Sequence, residues 1–81
     1  MIKNENLLKG ALLAVEDLNK SIKTTKETQA KLFSLGEFEA FETSLKLEME
    51  FRRLRAQHIR VLTAVSQLNE MTDQIAEKYG K

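Results

Sequence analysis

One short stretch decides the fold of this chain, Phe33-Ser34-Leu35-Gly36-Glu37-Phe38. Ser34 followed three residues later by Glu37 has the spacing of a capping box, in which each side chain binds the other residue's backbone N–H at the start of a helix. The two phenylalanines are spaced as a hydrophobic staple across that start. Gly36 lets the backbone turn sharply at little steric cost. The stretch therefore predicts a tight joint between two helices.

Before the joint, apolar residues recur at alternating spacings of three and four, which predicts a helix over about residues 5–33. Asn4 is a suitable N-cap for it. The pattern is weakest at residues 24–28, where β-branched threonines are mediocre helix formers, so a break into three helices is an alternative. The stripe comprises Leu8, Ala11, Val15, Leu18, Ile22, Thr25, Gln29 and Leu32.

After the joint, placed at residues 34–36, the same spacing predicts a longer helix over about residues 35–79. A second apolar stripe runs beside the first, and together they make a face wider than one neighbouring helix needs. The main stripe comprises Leu47, Phe51, Leu54, His58, Val61, Val65, Leu68, Thr72, Ile75 and Tyr79; the second comprises Phe38, Phe41, Leu45, Ile59 and Leu62.

The predicted fold class is all-α: residues 1–81 form a single domain, a two-helix antiparallel hairpin with a longer second helix. Folding about the joint pairs residue i with roughly 71 minus i, as in an αα-hairpin. Leu8 then lies opposite Thr63, and helix one has no residues left to cover the chain beyond Ser66. Small domains usually need a disulfide, a metal or a second copy. With no cysteine and one histidine, we expect association, most simply a homodimer that forms a four-helix bundle.

Several function classes are disfavoured by composition. The formal net charge of +1 gives no general attraction to nucleic acid or membrane. The longest apolar run, residues 11–15, is far below the ~20 residues of a membrane span, and the N-terminus does not resemble a signal peptide. A cytoplasmic location is the default expectation. The glycines are scattered, and no nucleophile has a partner at diagnostic spacing. We therefore predict no enzyme activity, no catalytic residues, no cofactor and no metal site.

One basic cluster lies in the second helix. Its arginines could bind an anion, a nucleic acid or an acidic protein. On a helix, however, they do not share one face, and Glu48 and Glu50 precede two of them at the spacing of intrahelical ion pairs. A lattice of salt bridges is the simpler interpretation. The cluster comprises Arg52, Arg53, Arg55 and Arg60.

His58 lies on the predicted apolar seam. A single polar residue there commonly fixes the register of a coiled coil. A phosphotransfer histidine on a helical bundle is the alternative, but the residues that follow, Ile59-Arg60-Val61, differ from those usual in such domains.

The segment without predicted cover is the expected interface with a partner, and its occupant is either a second copy or a foreign chain. Met71 and Tyr79 are residue types that suit interfaces. The N-terminal face of helix one is the second choice. The predicted interface residues are Val65, Leu68, Met71, Ile75 and Tyr79, with Leu8, Leu12 and Val15.

The hairpin with heptads resembles the Rop family of plasmid copy-number regulators, whose hairpins dimerise into an RNA-binding four-helix bundle. Gly36 and Phe38 also resemble the joint of the small two-helix co-chaperones of type III secretion, where a longer second helix opens shortly after a glycine and an aromatic. Neither resemblance carries over individual residues. We expect a non-catalytic protein-binding chaperone, adaptor or inhibitor; the alternatives are a Rop-like nucleic-acid binder and a self-assembling structural subunit.

Overall fold

The computed structural model of the protein describes residues 5–80 and contains two α-helices. Helix α1 spans Glu5–Ser34 and helix α2 spans Phe38–Tyr79. No residue from 5 to 80 lies in a β-strand. The predicted all-α hairpin with a longer second helix is confirmed, and its Cα atoms form a rod of 68 × 14 × 12 Å. The predicted N-cap Asn4 lies outside the described residues.

The joint is formed by the end of α1. Gly36 has a φ of +75°, in the left-handed region that glycine adopts without the penalty a Cβ atom would bring. The Gly36 N–H donates to the Phe33 carbonyl at 3.1 Å, and the Glu37 N–H donates to the Leu32 carbonyl at 2.9 Å. These two bonds define a Schellman motif, which satisfies the last carbonyl groups of a helix.

The capping box predicted for Ser34 and Glu37 is wrong. Ser34 is still helical, and its hydroxyl donates to the Lys31 carbonyl at 3.3 Å. Glu37 is the N-cap of α2 and makes no capping hydrogen bond through its side chain. Because the Schellman motif keeps Ser34 in α1, α2 begins at Phe38 rather than at residue 35. The two phenylalanines of the joint do meet, with ring centroids 5.8 Å apart.

Helix α1 is continuous through residues 24–28, so the alternative with three helices is wrong. The Thr25 hydroxyl donates to the Ser21 carbonyl at 2.7 Å, and the Thr28 hydroxyl donates to the Thr24 carbonyl at 3.1 Å. Threonine makes such bonds to the preceding turn without leaving the helix. The threonines therefore weaken the helix without ending it.

Polar contacts between the helices reveal the register of the hairpin. Arg55 Nη1 donates to Asn19 Oδ1 at 2.7 Å. Gln29 Nε2 donates to the Ser44 carbonyl at 3.3 Å and to Glu48 Oε1 at 3.0 Å. Residue i of α1 thus faces about residue 74 minus i. The predicted register is off by about three residues, because the Schellman motif moves the centre of the turn towards Glu37.

The corrected register shortens the uncovered part of α2. Glu5, the first described residue of α1, lies near the level of Asn69 of α2. The predicted register ended the cover of α2 earlier, near Ser66. Beyond about residue 69, the described part of α1 provides no neighbour for α2.

The face of α2 that meets α1 differs from the predicted stripe. We assign positions a and d of the heptad to the residues that are buried or half-buried along this seam. The main predicted stripe shares d residues with it, and Phe41 and Leu62 of the second predicted stripe are a residues. Leu47, Leu54, Val61, Leu68 and Ile75 lie one position beside the seam. The a residues are Phe41, Glu48, Arg55, Leu62 and Asn69, and the d residues are Ser44, Phe51, His58 and Val65; the half-buried Thr72 and Ala76 continue the same heptad beyond the level of the described part of α1.

The polar residues explain which side of α2 is chosen. Glu48 and Arg55 occupy a positions, where each meets a hydrogen-bonding partner on α1. Met49, which the predicted register placed opposite Ile22, is 69% exposed. On α1 the predicted stripe does face the other helix; its residues are buried or half-buried from Leu8 to Leu32.

The hairpin has almost no core of its own. Among residues 5–80, the buried apolar side chains are Ala11, Ile22 and Val65, and the buried polar ones are Thr25 and Ser44. No large side chain of this part of the chain is fully buried. Because burial of apolar area is the main favourable term in folding, most of the chain's apolar side chains contribute little within a single hairpin.

Candidate protein-docking surface

Among residues 5–80, the g positions of both helices carry no charged side chain. In an antiparallel helix pair these positions flank the seam on the same side, and here Ser21 and Leu47 line one depression together with Phe51 and the neighbouring Lys20. We call the g residues of both helices the uncharged face. It comprises Leu7, Ala14, Ser21 and Thr28 of α1, with Leu47, Leu54, Val61, Leu68 and Ile75 of α2.

The opposite side of the hairpin, at the e positions, is mixed in character. Arg52 Nε donates to Glu48 Oε2 at 2.6 Å, and Lys26 lines a depression there with Phe33 and Phe41. Phe33 and Phe41 have ring centroids 5.5 Å apart, so the aromatic end of this side is partly filled by the chain itself. We call the e residues of both helices the charged face. It includes Leu12, Asn19, Lys26 and Phe33 of α1, with Leu45, Arg52, Ile59, Ser66 and Asp73 of α2.

The uncharged face has an uneven profile. Its α2 half is a row of large aliphatic side chains spaced seven residues apart and exposed to between 36% and 57%. Its α1 half, after Leu7, consists of the small residues Ala14, Ser21 and Thr28. From Leu47 to Ile75 the row is about 42 Å long at 1.5 Å per residue. Single exposed apolar residues scattered over the surface are normal for a monomer, whereas a continuous apolar row of this length marks an interaction site.

The structure separates the predicted interface residues of α2 into two groups. Val65 is 8% exposed and belongs to the seam with α1. Leu68 and Ile75 are exposed on the uncharged face, and Met71 is exposed near them. Tyr79 is 73% exposed at the end of α2, with the Lys78 Nζ 5.3 Å from its ring centroid. Four of the five side chains are therefore accessible to a partner.

The predicted interface residues of α1 are separated as well. Leu8 and Val15 are half-buried along the seam. Leu12 is exposed at an e position, on the charged face. These residues therefore do not join the exposed residues of α2 in one surface.

The sequence placed the α2 half of the uncharged face in the main apolar stripe of the second helix, and it assigned Leu68 and Ile75 of that half to the partner interface. Leu47, Leu54 and Val61 are instead exposed. Their repeat at every seventh position was visible in the sequence. The signal that could have separated them from the seam is the match between polar residues of the two helices, Gln29 with Glu48 and Asn19 with Arg55.

Three of the four arginines in the basic cluster have partners within the chain. Arg52 pairs with Glu48, and Arg53 Nη2 lies 2.6 Å from Glu50 Oε2, as the spacing predicts. Arg55 is bound to Asn19. Arg60 is exposed.

The arginines also point in different directions. Heptad positions place Arg52 on the charged face, Arg55 in the seam, and Arg53 and Arg60 on the outer surface of α2. They form no common anion-binding surface.

Glu48 is the electrostatic centre of the seam. The hydrogen bond from Arg52, followed by that from Gln29, lowers the pKa of the Glu48 carboxyl below its ordinary value of 4.5. Both bonds favour the charged form. Glu48 thereby couples an ion pair within α2 to the contact between the helices.

His58 makes its hydrogen bond within α2. Its Nδ1 lies 2.8 Å from the Leu54 carbonyl oxygen. Since a carbonyl only accepts, Nδ1 carries the hydrogen in this bond. The bond does not reach α1, so Asn19 and Arg55, rather than His58, hold the register by hydrogen bonding.

Comparison with known proteins gives no relative on which to base a function: the chain matches no protein-family model, no curated protein and no solved structure at a significant level. Within residues 5–80, neither helix contains an apolar stretch long enough to cross a membrane.

Proposed function

We propose that the protein is a non-catalytic binding protein, of the chaperone, adaptor or inhibitor kind, that offers an amphipathic helical surface to another protein. We further propose that two hairpins associate into a four-helix bundle. One observation supports both statements: large apolar side chains are exposed at regular helical spacing on a hairpin that buries almost no core. Grooves between helices commonly receive amphipathic helices of a partner.

The end of α2 is the proposed docking site for the foreign partner. Leu68, Met71 and Ile75 are all more than half exposed there, and the described part of α1 leaves α2 uncovered beyond about residue 69. A partner helix would therefore complete a packing arrangement that α1 begins.

The experiment compares three forms of the protein as baits in an extract of the native host. The test form carries Leu68→Lys and Ile75→Lys. The matched control carries Gln67→Lys and Gln74→Lys, which add the same charge one position earlier, at exposed residues outside the uncharged face. We expect the wild type and the control to capture the same protein, and the test form to lose it.

Circular dichroism and light scattering must accompany this comparison. We expect the test form to keep most of its helix signal, because the changed side chains are exposed. Equal capture by all three forms would refute docking at the end of α2.

Nucleic-acid binding is less well supported. Arg52, Arg53 and Arg55 are engaged within the chain, and the arginines do not share a face. An RNA complex whose affinity falls steeply with added salt would favour this alternative, because phosphate contacts release counterions. A structural subunit would instead sediment alone as a species much larger than a dimer.

A further inference from the structure

We infer that the uncharged face binds a second copy of this chain, in an orientation that places both joints at the same end of the bundle. This assignment rests on the association proposed above and names the surface and the geometry that produce it. The arguments are the area of the face, the sizes of its side chains and the charges at its rim.

The area of the face suits a stable dimer. Between Leu47 and Leu68, where α1 lies beside α2, it is about 32 Å long at 1.5 Å per residue and about 20 Å wide across two helices, which gives on the order of 600 Å² per copy. The smaller specific protein–protein interfaces bury about this area on each partner. Because the face carries no charged residue, pairing it with itself buries no unpaired ion, and the penalty for isolating a charge does not arise.

The sizes of the side chains select the orientation. A second hairpin related by a twofold axis along the rod places its α2 opposite α1 of the first. Leu54 of each copy then meets Ser21 of the other, and Val61 meets Ala14, since both pairs share the level set by the Asn19–Arg55 contact. Large residues facing small ones interdigitate at native packing density.

The reversed orientation packs less evenly. A twofold axis across the rod would place the aliphatic row of α2 against the same row of the second copy, and the small residues of α1 against themselves. Helix separations of about 8–10 Å depend on the side chains at the contact. One half of such an interface would be wider than the other, and gaps would remain between the α1 helices.

The rim of the face is compatible with the same orientation. At the c positions just outside it, Asp17 of one copy lies level with Gln57 of the other, so no charge meets a like charge there. Gly10 lies level with Ala64, and both are small. A Cβ atom built at Gly10 would have no neighbour within 4 Å in the single chain, which leaves room for a second helix to approach.

The geometry leaves the outer part of the proposed docking site open, at Met71 and Ile75, whereas Leu68 lies level with Leu7 of the second copy. Neither copy of the described α1 reaches the part of α2 beyond about residue 69, so the exposed ends of both α2 helices project from the end of the bundle opposite the joints. A foreign helix could then bind at that end without displacing the second copy.

Disulfide trapping tests both the face and the orientation, because the chain contains no cysteine of its own. Chains with Ser21→Cys are mixed with chains carrying Leu54→Cys, refolded together and oxidised mildly. Random pairing makes about half of the dimers mixed, and we expect these to become covalent, because facing positions in packed helices fall within disulfide reach. A second mixture, Ala14→Cys with Val61→Cys, should behave in the same way.

The matched control is a mixture of Glu27→Cys with Lys46→Cys, which lie at the same level on the outer surfaces of the two helices. It should give no covalent dimer. The helix signal of every variant is measured first, and the second mixture keeps the test decisive if one substitution disturbs folding.

Two results would overturn the inference. Covalent dimers from Leu47→Cys, Leu54→Cys or Val61→Cys chains alone, without trapping in the mixtures, would show the reversed orientation. A monomer by light scattering, or trapping in the control alone, would exclude the uncharged face as the dimer interface. Capture of a foreign partner that depends on Leu68 and Ile75 would then still support the proposed binding function.

Discussion

At the scale of single residues, Glu48 shows how one side chain serves two contacts. It occupies a seam position that a coiled coil would normally fill with an apolar residue. Its carboxylate accepts hydrogen bonds from Arg52 on its own helix and from Gln29 on the other. The charge is thereby satisfied at a half-buried position, and the contact selects one side of α2 for pairing with α1.

The lowered pKa of Glu48 predicts a dependence of stability on pH. The folded-state pKa lies below the ordinary 4.5, so the stabilisation is fully present above that value and is lost as the pH falls through the folded-state pKa. We expect Glu48→Gln to be less stable than the wild type at pH 7. The difference in the free energy of unfolding should shrink as the pH falls below 4.5 and through the folded-state pKa.

Urea denaturation followed by circular dichroism at several pH values measures this difference. Glu50→Gln is the matched control, since Glu50 pairs with Arg53 at the exposed surface and such pairs contribute little. A difference between wild type and Glu48→Gln that does not shrink as the pH is lowered below 4.5 would show that the Glu48 charge does not stabilise the fold.

At the scale of helices, the periodicity of the sequence was sufficient to predict two helices, their order and their unequal lengths. It was insufficient to place the turn, because residues 34–37 carry the signals of both a helix start and a helix end. Gly36 decided between them, since its left-handed backbone builds a Schellman motif that closes α1. A capping signal involves only a few neighbouring residues. Whether those residues end the first helix or begin the second depends on the backbone of the whole turn.

Periodicity also left the pairing face undetermined. The main apolar stripe of α2 contains d residues of the seam, such as Phe51 and Val65, and α1 can cover only one side of them. The polar pairs Gln29–Glu48 and Asn19–Arg55 favour the side with fewer apolar residues. Leu47, Leu54 and Val61 on the other side are consequently exposed. An argument from hydrophobicity alone would instead place these residues against α1.

Gly36→Ala is expected to destabilise the hairpin by about 1–2 kcal/mol, because an L residue with a side chain is strained in the left-handed region. Apart from Gly36 and its two chain neighbours, no atom lies within 4 Å of a Cβ built at Gly36, so backbone strain alone would cause the loss. Gly36→Asn should lose less, since asparagine tolerates this conformation better. Thermal unfolding of the three proteins at one concentration tests the order, and an alanine variant as stable as the wild type would contradict it.

At the scale of the whole molecule, the rod of 68 × 14 × 12 Å has too little interior to be stable through a single core. Only three apolar side chains among residues 5–80 are buried, whereas the uncharged face alone exposes five large aliphatic ones from α2. Folding and association should therefore be coupled, as in obligate dimers that have no stable monomer.

This coupling predicts that the melting temperature depends on protein concentration. For a dimer of this size, a tenfold increase in concentration should raise Tm by about 4 °C, from the average unfolding entropy per residue. Leu54→Lys should lower Tm at every concentration, whereas Gln67→Lys, outside the uncharged face, should follow the wild type. A Tm independent of concentration over a hundredfold range would show that the single hairpin is stable alone.

The part of α2 that the described α1 does not cover should unfold locally more often than the rest of the helix. The stretch from about residue 70 to Tyr79 is shorter than the ~12–15 residues at which an isolated helix becomes even marginally stable in water. Its amide hydrogens should exchange with solvent faster than those near Val65, where α1 covers the helix. A partner that docks at this end must complete the ordering of the helix, so part of its binding energy offsets that entropy loss. If the proposed docking at this end is right, the end of α2 would hold a partner less tightly than the contact area suggests, and would release it more readily.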